Sequence, residues 1–192
     1  RVLGWSSYAS LAGGAPSDLV IGQPDRYSYS CAPASDRSLC LPHGIAVDEG
    51  GDLYVTDGYG DWEYNRDRVL AFVRPFETDV VADRVFGQRT FTCENAGWCY
   101  PLIPPEARLN NAVAVAAGGG YLYVAHSAGL VRFDLAQSAV PPVWEPVSGA
   151  TGSGLFLDLA AVPQALYIAA TAWSQVIRGD NPDAAAVGPT TV

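Results

Sequence analysis

Apolar residues in this chain come in short runs divided by glycine- and aspartate-rich turns. They lack the sustained three- and four-residue spacing of an amphipathic helix. The clearest case runs from Pro42 to Phe72. Its runs are Ile45-Ala46-Val47, Leu53-Tyr54-Val55 and Val69-Leu70-Ala71-Phe72, and Asp48-Glu49-Gly50-Gly51-Asp52 separates the first two. Glycine takes positive φ at no steric cost, so that composition predicts a tight turn between antiparallel strands. The stretch reads as a β-meander. Gly44 and Gly51 are both expected at turns that need unusual φ.

The same arrangement recurs. Ala112-Val113-Ala114-Val115, a turn at Gly118-Gly119-Gly120, Tyr121-Leu122-Tyr123-Val124 and Leu130-Val131-Arg132-Phe133 repeat it. Leu159-Ala160-Ala161-Val162, Leu166-Tyr167-Ile168 and Val176-Ile177-Arg178 repeat it more loosely. Leu53 and Leu122 are 69 residues apart, and Leu122 and Leu166 are 44 apart. A meander recurring at about 40–50 residues, with insertions held in loops, predicts the blades of an all-β propeller.

Outer strands also repeat. Ser17-Asp18-Leu19-Val20-Ile21-Gly22-Gln23 parallels Ala82-Asp83-Arg84-Val85-Phe86-Gly87-Gln88, and Arg1-Val2-Leu3-Gly4-Trp5 parallels Arg68-Val69-Leu70-Ala71-Phe72. The chain therefore divides into a half-blade at 1–23, a blade at 42–88, another at 110–147 and a partial blade at 155–192. About three blades' worth of chain is too little to close a ring, which needs at least about four. Further blades, on the same chain or another, are the first partner this implies, since raw strand edges are aggregation hazards.

Three motifs carry a family resemblance: Pro42-His43-Gly44-Ile45-Ala46-Val47-Asp48, Gly51-Asp52-Leu53-Tyr54-Val55-Thr56-Asp57, and Asn65-Arg66-Asp67-Arg68-Val69-Leu70-Ala71-Phe72. Together they resemble an NHL-repeat β-propeller. Asp18-Leu19-Val20-Ile21-Gly22-Gln23-Pro24-Asp25 is similar to a linker of bacterial exported members, which are often six-bladed. The resemblance weakens between Asp57 and Arg68, where a short turn is enlarged. It supports fold far more than function, because one fold hosts many activities.

Composition narrows the function classes. There is no lysine and the net charge is −9, so no basic cluster exists to neutralise phosphates. Nucleic acid and anionic membrane surfaces are excluded as partners on that ground. No apolar run is long enough for a spanning helix. The absence of methionine, even at position 1, fits a processed or partial segment. Cys31/Cys40 and Cys93/Cys99 are two close pairs, each in the loop after a Gly-Gln turn. Four cysteines allow three pairings, and equivalent placement favours the two local ones. Disulfides imply an extracellular, periplasmic or cell-surface protein.

Candidate chemistry gathers in loops. Asp48 and Asp57 follow strands and either act as a carboxylate pair or accept hydrogen bonds from turn amides. Asp61, Glu63, Asn65 and Asp67 are hard oxygen donors at alternating positions, suited to Ca2+ unless Arg66 and Arg68 neutralise them. His43 and His126 are the two histidines. A propeller lyase of the peptide-amidating type holds Zn2+ on several histidines, with a tyrosine for which Tyr59 is placed. Nothing resembles a serine-hydrolase elbow or a phosphate-binding loop. Tyr27, Tyr29, Tyr59, Trp62, Tyr64, Trp98 and Tyr100 are loop aromatics, good anchors for a protein or a glycan. These features favour a non-catalytic exported interaction or scaffold module. A metal-dependent propeller enzyme of the lyase or lactonase type and a carbohydrate-binding propeller are the rivals.

Overall fold

The computed structural model describes residues 1–58, 66–93, 99, 108–127 and 129–136. It also gives the backbone of four later strands. The chain is almost all β. Strands β1 (Val2–Gly4) and β2 (Leu19–Ile21) form a two-stranded sheet. Strands β3 (Pro42–Val47), β4 (Leu53–Asp57), β5 (Arg68–Phe72) and β6 (Arg84–Phe86) form a four-stranded one. A three-stranded sheet follows, of β7 (Ala114–Gly118), β8 (Tyr121–His126) and β9 (Gly129–Asp134). The last sheet holds β10 (Gly154–Asp158), β11 (Ala165–Ala170), β12 (Gln175–Asp180) and β13 (Thr190–Thr191). Every sheet is an antiparallel meander in chain order.

The packing is that of propeller blades. β7 lies against β3 on one side and β10 on the other, so the first strands of three sheets gather about one line. Alternate residues of each strand then serve different neighbours, because the side-chain period of a strand is two. Leu53, Val55, Leu70 and Phe72 join Ile21 and Leu39 on the side of the first sheet. Tyr54, Val69, Ala71 and Phe86 join Val115, Ala117, Leu122, Val124, Val131 and Phe133 of the third. Both faces of β4 and β5 are thus covered, and all ten of their residues are buried. This explains why their runs are continuously apolar. Each large side chain so buried contributes about 1.5–3 kcal/mol.

Polar ties cross between the second and third sheets at both ends. His43 donates from Nδ1 to the Val113 carbonyl at 2.8 Å, which fixes its tautomer. The Gly119 amide donates to Glu49 Oε1 at 3.0 Å, and Arg84 Nη1 donates to the Leu135 carbonyl at 2.9 Å.

Three local expectations change. The first strand of the third sheet is Ala114–Gly118, not a run beginning at Ala112, and Gly118 pairs with Tyr121. The turn therefore shrinks to Gly119-Gly120. Gly51 does sit at φ +86°, but Gly44 lies inside β3. Its constraint is spatial: a Cβ there would meet the Val113 carbonyl at 2.9 Å and Ala114 Cα at 3.0 Å. A short helix, α1 (Tyr8–Ala12), follows β1 without any sign in the apolar pattern; its N-cap Ser7 accepts from the Ser10 amide at 3.1 Å.

Candidate functional site

The site is one loop held rigidly at the end of the second sheet where β4 ends and β5 begins. Asp57, the last residue of β4, is buried at its centre. Its Oδ1 accepts the amides of Cys40 and Leu41 at 2.8 and 3.0 Å. Its Oδ2 accepts from Arg68 Nε and Nη2 at 3.0 and 2.9 Å. Arg66 Nη1 stands 3.6 Å from the same oxygen. Antiparallel register puts Asp57 opposite Arg68, so a strand-end acid and the following strand's first residue meet side by side.

The two arginines carry this anchor into the loop. Arg68 donates to the carbonyls of Ser35 at 3.2 Å, Ser38 at 2.7 Å and Phe91 at 2.6 Å. Arg66 donates to Ser38 Oγ at 3.3 Å and to the Ala32 carbonyl. Buried charges are tolerable when paired and hydrogen-bonded; Arg68 meets that condition with Asp57 and three loop carbonyls, and the Nη atoms of Arg66 are held by Ser38 Oγ and the Ala32 carbonyl. A Cys31–Cys40 disulfide closes the same loop, with Cα atoms 4.5 Å apart. Gln23 Nε2 bridges the Ser30 and Leu39 carbonyls at 2.8 and 2.9 Å, and Leu39 is buried in the core beneath. Arg1 Nη1 holds the Ser28 carbonyl at 3.0 Å, and Asp25 Oδ1 caps the Tyr27 and Ser28 amides at 2.7 Å. Those amide bonds lower the Asp25 pKa.

At the crown of this fixed loop, Tyr27 and Tyr29 are 80% and 88% exposed. Both rings therefore leave a large apolar area open to solvent on a braced loop.

Two of the anchor's residues, Asp57 and Arg66, and the end of its loop lie within one short stretch of the sequence. Residues 39–66 match the family profile of the NHL repeat. That stretch is similar to an NHL repeat. The match opens on the buried Leu39 and closes on Arg66, and so spans β3, β4 and Asp57. NHL repeats build β-propellers and commonly mediate protein interactions, in agreement with the sheets described above. No curated protein matches the chain.

Within the matched stretch, Asp48 and Asp57 do not form a pair. Pro42 faces Asp57 and Val47 faces Leu53, so the two acids lie at opposite ends of one hairpin. Asp48 accepts the Gly50 and Asp52 amides at 2.9 and 3.0 Å and the Tyr54 hydroxyl at 3.0 Å. Burial and the neighbouring Asp48 carboxylate raise the Tyr54 pKa. Both aspartates are therefore turn acceptors. Asp67 is buried at φ +43°, and its Oδ1 accepts the Asn111 amide at 2.7 Å. The other proposed oxygen donors, Asp61, Glu63 and Asn65, lie outside the described residues, as do Tyr59, Trp62, Tyr64, Trp98 and Tyr100. Cys93 and Cys99 form the second disulfide, with Cα atoms 6.4 Å apart.

His126 stands where the repeat places Asp57, at the end of β8, and Gly129 opposite it stands where Arg68 would. The third sheet has thus lost the acid–arginine anchor. His126 is buried, and burial lowers its pKa from the ordinary 6.5. His43 lies exposed and bonded to Val113, so the two histidines have separate structural settings. Among the described residues, no three His, Cys, Asp or Glu side chains group to hold a metal, and no helix is long and apolar enough to cross a membrane. Sequence reasoning noticed Tyr27 and Tyr29 only as two of several loop aromatics. It missed the role of Arg66 and Arg68, which the spacing Asp57…Arg66-x-Arg68 could have supplied once β4 and β5 were paired.

Proposed function

We propose that this chain is a non-catalytic interaction module of an exported β-propeller, which captures a protein partner on the loop end of its blades. The observation that carries this reading is the pairing of two outward tyrosines with a loop braced by a disulfide and a buried Asp57–Arg66–Arg68 anchor. Tyrosine supplies a large contact area at low entropic cost, and a braced loop loses little further freedom when bound. In the sequence, the enlarged stretch between Asp57 and Arg68 carries three further aromatics, Tyr59, Trp62 and Tyr64. Two disulfides fit an oxidising compartment, and an extracellular, periplasmic or cell-surface setting is the one in which both persist.

The test compares wild type with a Tyr27→Ala/Tyr29→Ala variant, each immobilised and exposed to the extracellular protein fraction of its source. A protein retained by wild type and lost from the variant, at unchanged Tm, is the expected result. Equal capture by both sinks the reading. Glycan-array binding lost in the same variant, with no protein retained, would replace it with the carbohydrate-binding alternative.

A further inference from the structure

We infer that the loops joining β1 to β2 and β5 to β6 form a docking surface for a basic polypeptide segment, rich in arginine or lysine and carrying apolar side chains. This surface lies at the end of the strands away from the tyrosine-bearing loop, where Gly4 closes β1 and Phe72 closes β5. It does not depend on the function proposed above.

The apolar part is built around Phe76. Its ring edge lies over Gly4, where an added Cβ would meet Phe76 Cζ at 2.7 Å, so the ring bridges the first and second sheets. Even so, 53% of the residue is exposed. The loop that carries it is pinned. Asp83 Oδ2 accepts the Val73 amide at 2.8 Å, Asp52 Oδ1 accepts the Arg74 amide at 3.2 Å, and Thr78 Oγ1 donates to the Val73 carbonyl at 2.6 Å. From Gly4 the chain runs on through Trp5, whose Nε1 donates to the Ala15 carbonyl at 2.8 Å, into α1. Tyr8 and Leu11 stand three residues apart on one side of that helix and are 83% and 48% exposed. Single exposed apolar side chains are ordinary, but three on adjoining loops leave a patch.

Charge specifies what covers the patch. Residues 5–18, 48–52 and 73–83, the turns at this end of the first two sheets, hold seven carboxylates and one arginine. That arginine, Arg74, is already paired with Glu77 at 2.9 Å. Arg26 and Arg84, which border the surface, are engaged by the Ser17 and Leu135 carbonyls at 3.2 and 2.9 Å. Asp52, Asp79 and Asp83 each accept a turn amide, which orients the carboxylate without cancelling its charge. The Ser6 amide and hydroxyl hold the Asp18 carboxyl below its ordinary range, so it too is ionised at neutral pH. The tyrosine-bearing loop, residues 24–41, has by contrast two acids and two arginines. The excess is therefore local to one end of the sheets. Like charge repels nucleic acid, an anionic membrane and a second copy of the same surface. A basic segment gains twice, because the carboxylates attract it before contact and its cations then lie over the rings of Phe76 and Tyr8.

The probe is a short fluorescent peptide of alternating arginine and leucine, read by anisotropy, and its counterpart with glutamate for arginine is the control. The basic peptide should bind and the acidic one should not, with affinity falling about tenfold between low and moderate salt. Phe76→Ser leaves every charge in place and should weaken binding about fivefold. Tyr8→Ser/Leu11→Ser, confined to exposed side chains, should do the same. Glu77→Gln/Asp79→Asn/Asp83→Asn keeps the hydrogen-bond acceptors, removes three charges, and should lower both affinity and its salt dependence. Tyr27→Ala/Tyr29→Ala should bind the peptide as wild type does, which separates this surface from the tyrosine-bearing loop. No binding by wild type, or equal binding of the acidic peptide, overturns the inference. So does equal binding by Phe76→Ser and Tyr8→Ser/Leu11→Ser at unchanged Tm, since the peptide would then follow the chain's overall charge. Binding lost in Tyr27→Ala/Tyr29→Ala would place the peptide on the other loop and overturn it as well.

Discussion

At the scale of single residues, Arg68 has the most to lose. It is fully buried, shares Asp57 in a two-pronged contact and holds three loop carbonyls. Replacing it with methionine keeps the volume but leaves a buried carboxylate with half its partners. Stability should fall by about 3–5 kcal/mol, read from the urea midpoint. Trypsin should also begin to cut after Arg37 in the loosened loop while the rest of the chain resists. His126 gives a second prediction, in pH. Its folded pKa is lowered by burial, so the unfolded chain takes up the proton first as pH falls. The contribution to stability is complete above about 6.5 and is lost as pH drops below that value toward the folded pKa. His126→Gln should flatten this part of the curve of unfolding midpoint against pH. An unchanged slope between pH 7.5 and 5.5 would show that the side chain is solvated.

At the scale of elements, register and close approach decide. Gly44 is where β3 and β7 come nearest, and the obstacle to a side chain is backbone, which yields least. Gly44→Ala should cost about 1–3 kcal/mol and loosen the contact between the second and third blades. Gly51→Ala has room, with only Arg74 Cγ near at 3.6 Å, and should cost about 1 kcal/mol through its positive φ alone. Thermal melts of the two variants separate these causes. The comparison also shows what could be read beforehand. Runs such as Leu53-Tyr54-Val55 and Val69-Leu70-Ala71-Phe72 disclosed their strands, because both faces of these strands are buried and leave an unbroken apolar signal. The start of β7 was misjudged because Ala112 and Val113 are as apolar as the strand that follows them. Helix α1 was invisible, since a single turn held by a serine cap has no periodicity to detect.

At the scale of the molecule, the propeller was legible from repetition, and the candidate site was not. Asp57 read as a strand-end acceptor and Arg66 and Arg68 as partners for nearby loop acids, but their shared burial did not show, because it depends on the loop from Pro24 to Leu41 folding back over them. That long-range event has no local signal. Cys31 and Cys40 were the nearest clue, and they do close that loop. Reduction should therefore lower Tm by several degrees, about 3 kcal/mol or less for so short a ring. The protease-sensitive site should again appear first at Arg26 or Arg37. Loss of the whole fold at low denaturant on reduction would mean that the core depends on the bridge.

The bracing of this loop has an evolutionary corollary. Every strut grips it near its base or by its main chain, and none touches the rings of Tyr27 and Tyr29. The tip can accept new side chains without disturbing what supports it, so specificity can drift while the scaffold stands still. An engineer could exploit the same separation by randomising Tyr27 and Tyr29 as a recognition surface, sparing Asp25, Arg26, Ser28 and the cysteines.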